Sequence, residues 1–424
     1  MNDVVKKIVP RLRFQSFKAL GPWGSQTLGQ LAQRSIRKNA EGKITRVLTN
    51  SAEYGVVDQR DFFEKDIANQ GNLEGYYVVE EGYYVYNPRV STTAPVGPIS
   101  KNKIGLGVMS PLYMVFKFNN SENDFYAHYF KSTHWHQYMR QVSSTGARHD
   151  RMNISNNAFM KLPLPVCTPE EQQKIADCLS SLDDLLTAEV QKLDTLKKYK
   201  QGLMQQLFPR EGESVPRLRF PEFQSEGEWV YEKIGDCLEK LIDYRGKAPP
   251  KAESGVQLIT AKNVRFGWLD MSCNEYISAD EYESWMSKGI PRVGDILFTT
   301  EAPLGNVAFF PCTGKFALGQ RIITLRTKPK KCLAEFLFQA LLTPDMQKKI
   351  DFHSTGSTAK GIKSKVFVNL SFCYPKISEQ QKIAEVLSSL DNFIAAQSQK
   401  LDVLKNHKKG LMQQLFPVFD EILA

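Results

Sequence analysis

The sequence predicts an α+β protein in which two β-rich globular domains are separated by two long antiparallel coiled-coil helices, related by a pseudo-two-fold internal duplication. Three observations predict it. Residues 170–209 and 378–417 are one segment written twice: at a constant offset of 208 they are identical at 27 of 40 positions without a gap, and a repeat of this kind decides an architecture before any weaker signal does. Both copies carry apolar residues at alternating spacings of four and three, the heptad pattern of a helix that packs on another helix. The remaining stretches break into short β-branched and aromatic runs punctuated by Gly, Pro and Asn, which read as strands and turns.

Taken in order, residues 1–9 are a lead-in, and residues 9–14 read VPRLRF. The same six letters return at 215–220, and each copy is followed by a tryptophan, Trp23 or Trp229, and a short amphipathic run. Both halves therefore begin alike. Strands are expected within 75–88 and 110–118 of the first half, and at 255–260, 293–300, 307–310 and 320–327 of the second. A helix is expected over 333–350, matched by one over 125–142. The duplication persists faintly inside the domains: Ala94-Pro95-Val96-Gly97 answers Ala302-Pro303-Leu304-Gly305, and Ser144-Thr145-Gly146 answers Ser354-Thr355-Gly356. The expected boundaries are 1–168 for the first domain, 169–209 for a central helix, 210–377 for the second domain and 378–424 for a second helix.

The seam of the first helix is Ile175, Leu179, Leu182, Leu186, Glu189, Leu193, Leu196, Lys200, Leu203 and Leu207. In the second it is Ile383, Leu387, Leu390, Ile394, Gln397, Leu401, Leu404, Lys408, Leu411 and Leu415. Thr168 with Glu171, and Ser378 with Gln381, are expected capping boxes, and Pro209 and Pro417 end the helices. An apolar seam needs a partner, and the chain supplies a near-identical one. Roughly 33 residues at about 1.5 Å each span about 50 Å, so an antiparallel pair would be a spacer with a domain at each end. The polar seam positions, Glu189 with Lys200 and Gln397 with Lys408, are expected to face one another across the middle and fix its register. Separate burial of each helix against its own domain is the competing arrangement, opposed by the narrow seam and the charged flanks.

A chain of 424 residues with 42% hydrophobic and 24% charged residues suits two domains plus connecting helices. No run of 18 apolar residues occurs, and the opening has two lysines but no apolar h-region, so neither a membrane span nor a classical export signal is expected. Seven cysteines without a C-x-x-C pair argue against a zinc ribbon and a disulfide framework and fit a reducing cytoplasm. The net charge of +9 is unevenly placed: residues 10–169 hold 19 Lys/Arg against 12 Asp/Glu and residues 210–377 hold 24 against 20, while the two repeats are nearly neutral. The basic surplus belongs to the domains, which permits a polyanionic partner there.

Catalytic machinery is scarce. In residues 356–364, GSTAKGIKS, Ile362 stands where a phosphate loop requires Lys. His134-Trp135-His136 lies in an expected helix, where neighbours one and two apart do not share a face, so no metal site is expected. Asn87-Pro88-Arg89-Val90 lacks the aromatic that an adenine-methylating N-P-P-Y type loop uses to hold a flipped base. Several loops instead mix Arg or Lys with hydroxyl and amide side chains, the inventory for phosphate clamping and base-edge readout. The candidate DNA-binding residues are Arg34, Arg37, Lys38, Thr92, Thr93, Ser144, Arg148 and Arg151 in the first domain. In the second they are Tyr244, Arg245, Lys247, Lys262, Asn263, Thr300, Glu301, Gln320, Arg321, Thr355, Ser357 and Lys360.

The paired EQQKIA…LSSLD…QKLD…GLMQQLFP helices, the VPRLRF openings, VGDILFTTEAPLGNVA at 293–308 and the STG…F endings ahead of each helix together resemble the specificity subunit of type I restriction-modification systems over nearly the whole chain. The resemblance implies that each β-rich domain is a target recognition domain reading one half of an asymmetric, bipartite sequence in double-stranded DNA. It implies that the long helices set the gap and dock two methyltransferase (modification) subunits, with restriction subunits joining the full complex. S-adenosylmethionine, ATP and magnesium would reside on those partners and no cofactor on this chain. Two rival readings are a self-contained DNA methyltransferase with divergent motifs and a coiled-coil scaffold without a DNA role.

Overall fold

Two 39-residue helices, Pro169–Leu207 and Ile377–Leu415, are the longest elements of the computed structural model, which describes residues 8–62, 73–144, 150–244, 248–311, 314–356 and 359–417. Each is about 58 Å long at about 1.5 Å per residue. Every apolar seam position expected above is buried or half-buried, and so are the polar ones, Glu189, Lys200, Gln397 and Lys408, each less than 10% exposed. Among the described residues no helix is long and apolar enough to cross a membrane.

The chain condenses into two compact units that cut across the repeats: residues 1–189 with 400–424, and residues 190–399. Each unit unites one β-rich domain with the first half of one long helix and the last half of the other. Within the first unit, Lys408 is hydrogen-bonded to Asp183 and Lys400 to Glu189. Within the second, Lys200 donates to Asp391 at 2.6 Å. Early residues of one helix thus meet late residues of the other in both units, which makes the pairing antiparallel. For the two seam lysines the expected register contacts are corrected by these pairs. The seam lysines face aspartates flanking the partner's seam, and Glu189 faces Lys400, because an antiparallel register places position 200 opposite 391 and 183 opposite 408.

At their ends the helices merge with the domain cores. In the first unit Ile175, Ala176 and Leu179 share a core with Met412, Leu415 and Phe416, together with Trp23, Phe125 and Tyr129. The second unit repeats this with Ile383, Ala384, Leu387, Met204, Leu207, Phe208, Trp229 and Phe336. The ring of Phe416 lies 5.3 Å from Phe125, and Phe208 lies 5.3 Å from Phe336.

The VPRLRF openings are clamps. Arg13 Nε and Nη2 donate to the two carboxylate oxygens of Glu171 at 2.7 Å each, and Nη1 to the carbonyls of Leu20 and Gly21. Arg219 does the same to Glu379, at 2.8 and 2.7 Å, and to the carbonyls of Glu226 and Gly227. Both pairs are almost wholly buried. This alters the expected helix starts. Thr168 Oγ1 does accept from Glu171 N at 3.4 Å, but the Glu171 side chain serves Arg13 instead of closing the box. Ser378 is not a cap, since the helix already begins at Ile377.

The sheets of the two units share a plan. The first has a four-stranded antiparallel sheet in the spatial order Ala32–Arg34, Met114–Phe118, Tyr84–Tyr86, Ile99–Lys101. The second has Leu238–Asp243, Ile322–Thr327, Ile296–Thr300, Leu304–Phe309 in the same order. Smaller sheets sit beside each, Leu48–Ser51 with Gly55–Asp58 and Tyr77–Val79 with Gly107–Met109 in the first unit. In the second, Val256–Ile259 lies between Tyr276–Ile277 and Phe316–Leu318. The helix expected over 333–350 is two, Ala334–Leu342 and Pro344–Phe352. Pro344 has no N–H for a continuing helix, and Thr343 caps the second piece by accepting from Met346 N at 3.3 Å. Its counterpart over 125–142 likewise divides into Asp124–Tyr129 and His136–Val142.

One asymmetry has a measurable effect. His128 is buried against the long helix, with Nε2 3.0 Å from Ser180 Oγ and Nδ1 3.8 Å from Asp183, and Gln339 occupies the corresponding place in the second unit. Burial pushes the His128 ring down to about 4, and the charges of Lys131, Lys408 and Lys103 act in the same direction against Asp183. The folded state therefore holds His128 neutral while the unfolded chain takes up its proton near the ordinary value of about 6.5. Stability is full above that value and falls as pH drops toward about 4, by on the order of 3 kcal/mol when complete. Urea unfolding between pH 4.5 and 7, followed by a probe in the first unit, should show this slope, and H128N should flatten it. An equally steep H128N profile would refute the assignment.

Candidate nucleic-acid interface

In each unit a strap bridges a loop that leaves the central sheet, and the two straps use the same backbone chemistry. In the first unit the loop after strand Tyr84–Tyr86 is held by Met152 N donating to Pro88 O and Val90 N to Asp150 O. Ser144 N donates to Asn153 O at 3.0 Å, and Asn153 Nδ2 returns to Ser144 Oγ at 3.0 Å. Arg89 and Arg151 stand opposite one another across this bridge. Thr92 and Thr93, both exposed, follow in the same loop, with Thr93 Oγ1 3.1 Å from Ser91 Oγ. Thr92, Thr93, Ser144 and Arg151 are thus gathered at one corner, joined by Arg89 and Asn153, which the sequence reading did not single out. Arg37 and Lys38 run along a different edge, beside strand Tyr77–Val79, with Arg37 paired to Glu80 at 2.8 Å. Arg34 is half-buried at the end of its edge strand.

The second unit builds its corner the same way. Thr355 and Gly361 exchange two backbone hydrogen bonds of 2.9 Å, Ile362 N donates to Thr300 O, and Glu301 bridges to Gly361. The strap and the sheet end enclose a polar cleft lined by Thr300, Glu301, Gln320, Thr355, Ala359, Gly361, Ile362 and Lys363. Arg321 Nε lies 3.0 Å from Glu301 Oε1 at its rim. Lys360 is tied to both oxygens of Asp351 at 2.7 Å. Lys363, exposed, is a cation of the same loop that was not among the expected residues, although Lys360 was. Lys262 is exposed and lies 3.5 Å from Glu275, away from the strap.

Three candidates face inward and are corrected. Tyr244 is packed in the core with Leu258, Ile277 and Tyr282, and its hydroxyl donates to Gly289 O. Asn263 is wholly buried, its amide donating to the carbonyls of Asp270 and Cys273 and its oxygen accepting from Thr260 N. Thr300 is 1% exposed and its hydroxyl donates to Arg321 O. A buried polar group must be hydrogen-bonded, and these are bonded within the protein. Arg148, Arg245, Lys247 and Ser357 lie outside the described residues.

Among the described residues no three His, Cys, Asp or Glu are placed to hold a metal ion. The Asn87 amide is engaged within the protein: its Nδ2 donates to Asn50 O and its Oδ1 accepts from Arg89 N, both at 3.0 Å.

Twice along its length, at residues 23–198 and 226–406, the sequence matches the family described as type I restriction modification DNA specificity domain. The chain belongs to this family. The two matches coincide with the two repeats, so the duplication is a doubling of the family's domain. Among curated relatives, the type I restriction enzyme MjaVIII specificity subunit of Methanocaldococcus jannaschii is 26% identical over 330 residues, covering 74% of this chain and 70% of that protein. The MjaIX specificity subunit of the same organism is 31% identical over 204 residues, covering 46% and 45%. The fold is similar to that of the S subunit of a type I system from M. genitalium, with a TM-score of 0.56 at 15% identity, covering 97% of this chain and 99% of that one. A chain from a further type I restriction-modification system superposes with a TM-score of 0.54 at 16% identity, covering 93% and 97%. At these identities the specificity-family fold is retained where the sequence has diverged.

Proposed function

We propose that the chain is the non-catalytic DNA-specificity subunit of a type I restriction-modification complex, each unit reading one half-site of an asymmetric bipartite target in double-stranded DNA. The carrying observation is the strapped corner present in both units, built on matching sheets but displaying different side chains: Arg89, Thr92, Thr93, Ser144 and Arg151 in one, Glu301, Gln320, Arg321, Thr355 and Lys363 in the other. Equal mounts with unequal side chains suit two different half-sites. The paired helices set the gap and dock two methyltransferase subunits, and restriction subunits complete the assembly. S-adenosylmethionine, ATP and magnesium belong to those partners, and the chain works in the cytoplasm with DNA. The use of the Asn87 amide inside the loop disfavours a self-contained methyltransferase.

The experiment is to insert four residues after Glu189 and to map adenine methylation across the host genome. The first helix lengthens by about 6 Å, so the gap is expected to change or methylation to be lost, with both half-site sequences kept. An unchanged motif with an unchanged gap would refute the spacer role.

A further inference from the structure

Within the second unit's corner, we propose that Arg321 reads a guanine of that unit's half-site and that Glu301 holds it in the reading orientation. The inference rests on the DNA-specificity reading above and names one base contact within it.

Arg321 stands just ahead of strand Ile322–Thr327, an inner strand of the four-stranded sheet. Its carbonyl accepts from Thr300 N at 3.0 Å and Thr300 Oγ1 at 3.3 Å. The backbone from which the side chain departs is therefore bolted to the sheet, and buried Thr300 is a positioning residue. Glu301 is fixed from the other side by its bridge to Gly361. A Cβ on Gly361 would lie 3.2 Å from Glu301 Cβ, so glycine lets the strap approach this closely.

Between these two mounts Glu301 Oε1 and Arg321 Nε form an ion pair 3.0 Å apart, and the side chains are 45% and 47% exposed. Among the described residues Nη1 and Nη2 have no partner. They form the flat fork that matches guanine O6 and N7 in the major groove. As a stabilising contact a half-exposed ion pair contributes little. As a mount it removes in advance the rotamer freedom that a long side chain otherwise loses on binding. A rigid scaffold with the reading group held by neighbouring side chains is what precise recognition requires.

The first unit lacks this device. Phe298 packs on Phe367 as Tyr86 packs on Phe159, and Phe298 faces Ile323 as Tyr86 faces Met114. Counting two residues back, Leu112 stands in the place of Arg321, and the repeated Ala-Pro-x-Gly places Thr93 at that of Glu301. The guanine requirement therefore belongs to one half-site.

The test maps methylated sites in host cells whose only copy of this chain is wild type, R321A, R321K or E301Q. R321A is expected to relax one G·C position of one half-site, shrinking discrimination there by roughly 10- to 100-fold. R321K keeps the charge but loses the fork and should relax the same position, which guards against misfolding of the alanine variant. E301Q should give a smaller loss at that position. Unchanged stringency at every position in R321A and R321K would overturn the proposal. So would uniform weakening across sequences with a shallower salt dependence, the signature of a phosphate contact. Relaxation by E301Q alone would assign the reading to the carboxylate and overturn it too. If the wild-type chain directs no bipartite methylation, the specificity reading itself fails.

Discussion

Replacing Glu379 by alanine should destabilise the second unit by about 3–5 kcal/mol, because it leaves the Arg219 guanidinium buried without its counter-charge. Arg219 is 8% and Glu379 2% exposed, so water cannot take over the pairing. For a unit of this size such a loss lowers the melting temperature by on the order of 10 °C. Replacing the pair together, R219M with E379L, should recover much of the loss, since well-packed apolar pairs of similar volume are often no worse than a buried ion pair. The carbonyls of Glu226 and Gly227, also served by Arg219, will keep the recovery incomplete. Calorimetry of the single and double variants decides it, and a loss below about 1 kcal/mol in E379A would show that the clamp is dispensable. E171A should damage the first unit in the same way through Arg13.

Exchanging residues 30–165 for those of a relative with another specificity should change one half-site completely and leave the other and the gap untouched. The exchanged segment carries the whole first corner, Arg89 to Thr93 and Ser144 to Asn153, while the second corner lies within residues 300–363. The graft keeps Trp23 and the VPRLRF clamp, while the rings that meet Phe416, at positions 125 and 129, come from the relative. Methylome sequencing of cells carrying the chimera reads the outcome. A change in both half-sites would refute the modular reading.

The long helices were legible because heptad spacing reports directly which face is buried, and Ile175 through Leu207 follow it without exception. Their cross-helix partners were not legible. Which aspartate meets Lys200 depends on an antiparallel register that a single helix does not encode, so Asp391 appears only in three dimensions. The strand runs were found where apolar and β-branched residues cluster, as at Ile296–Thr300 and Ile322–Thr327. The interface was legible as loops but not as side chains. Asn263 and Thr300 have the composition of base readers, yet local carbonyls and amides satisfy them, and sequence does not tell an inward polar residue from an outward one. The same holds for the VPRLRF openings, whose repetition was plain but whose fifth residue, an arginine, found its partner about 160 positions away.

The contact of Leu12 N with Gln414 O, and of Phe416 with the rings of Phe125 and Tyr129, has a consequence for biosynthesis. The first domain is made first, but the residues that plug its base, Gln414 and Phe416, are translated only after the whole second domain. Until they emerge, Ile175, Leu179 and the aromatic floor above them lack their cover, so the first unit waits on residues made after the second domain. The second unit, bounded by residues 190 and 399, can close earlier. A stop near residue 400 would thus spare the half nearest to it in sequence and cripple the other, and only a chain extending past residue 416 would complete both units.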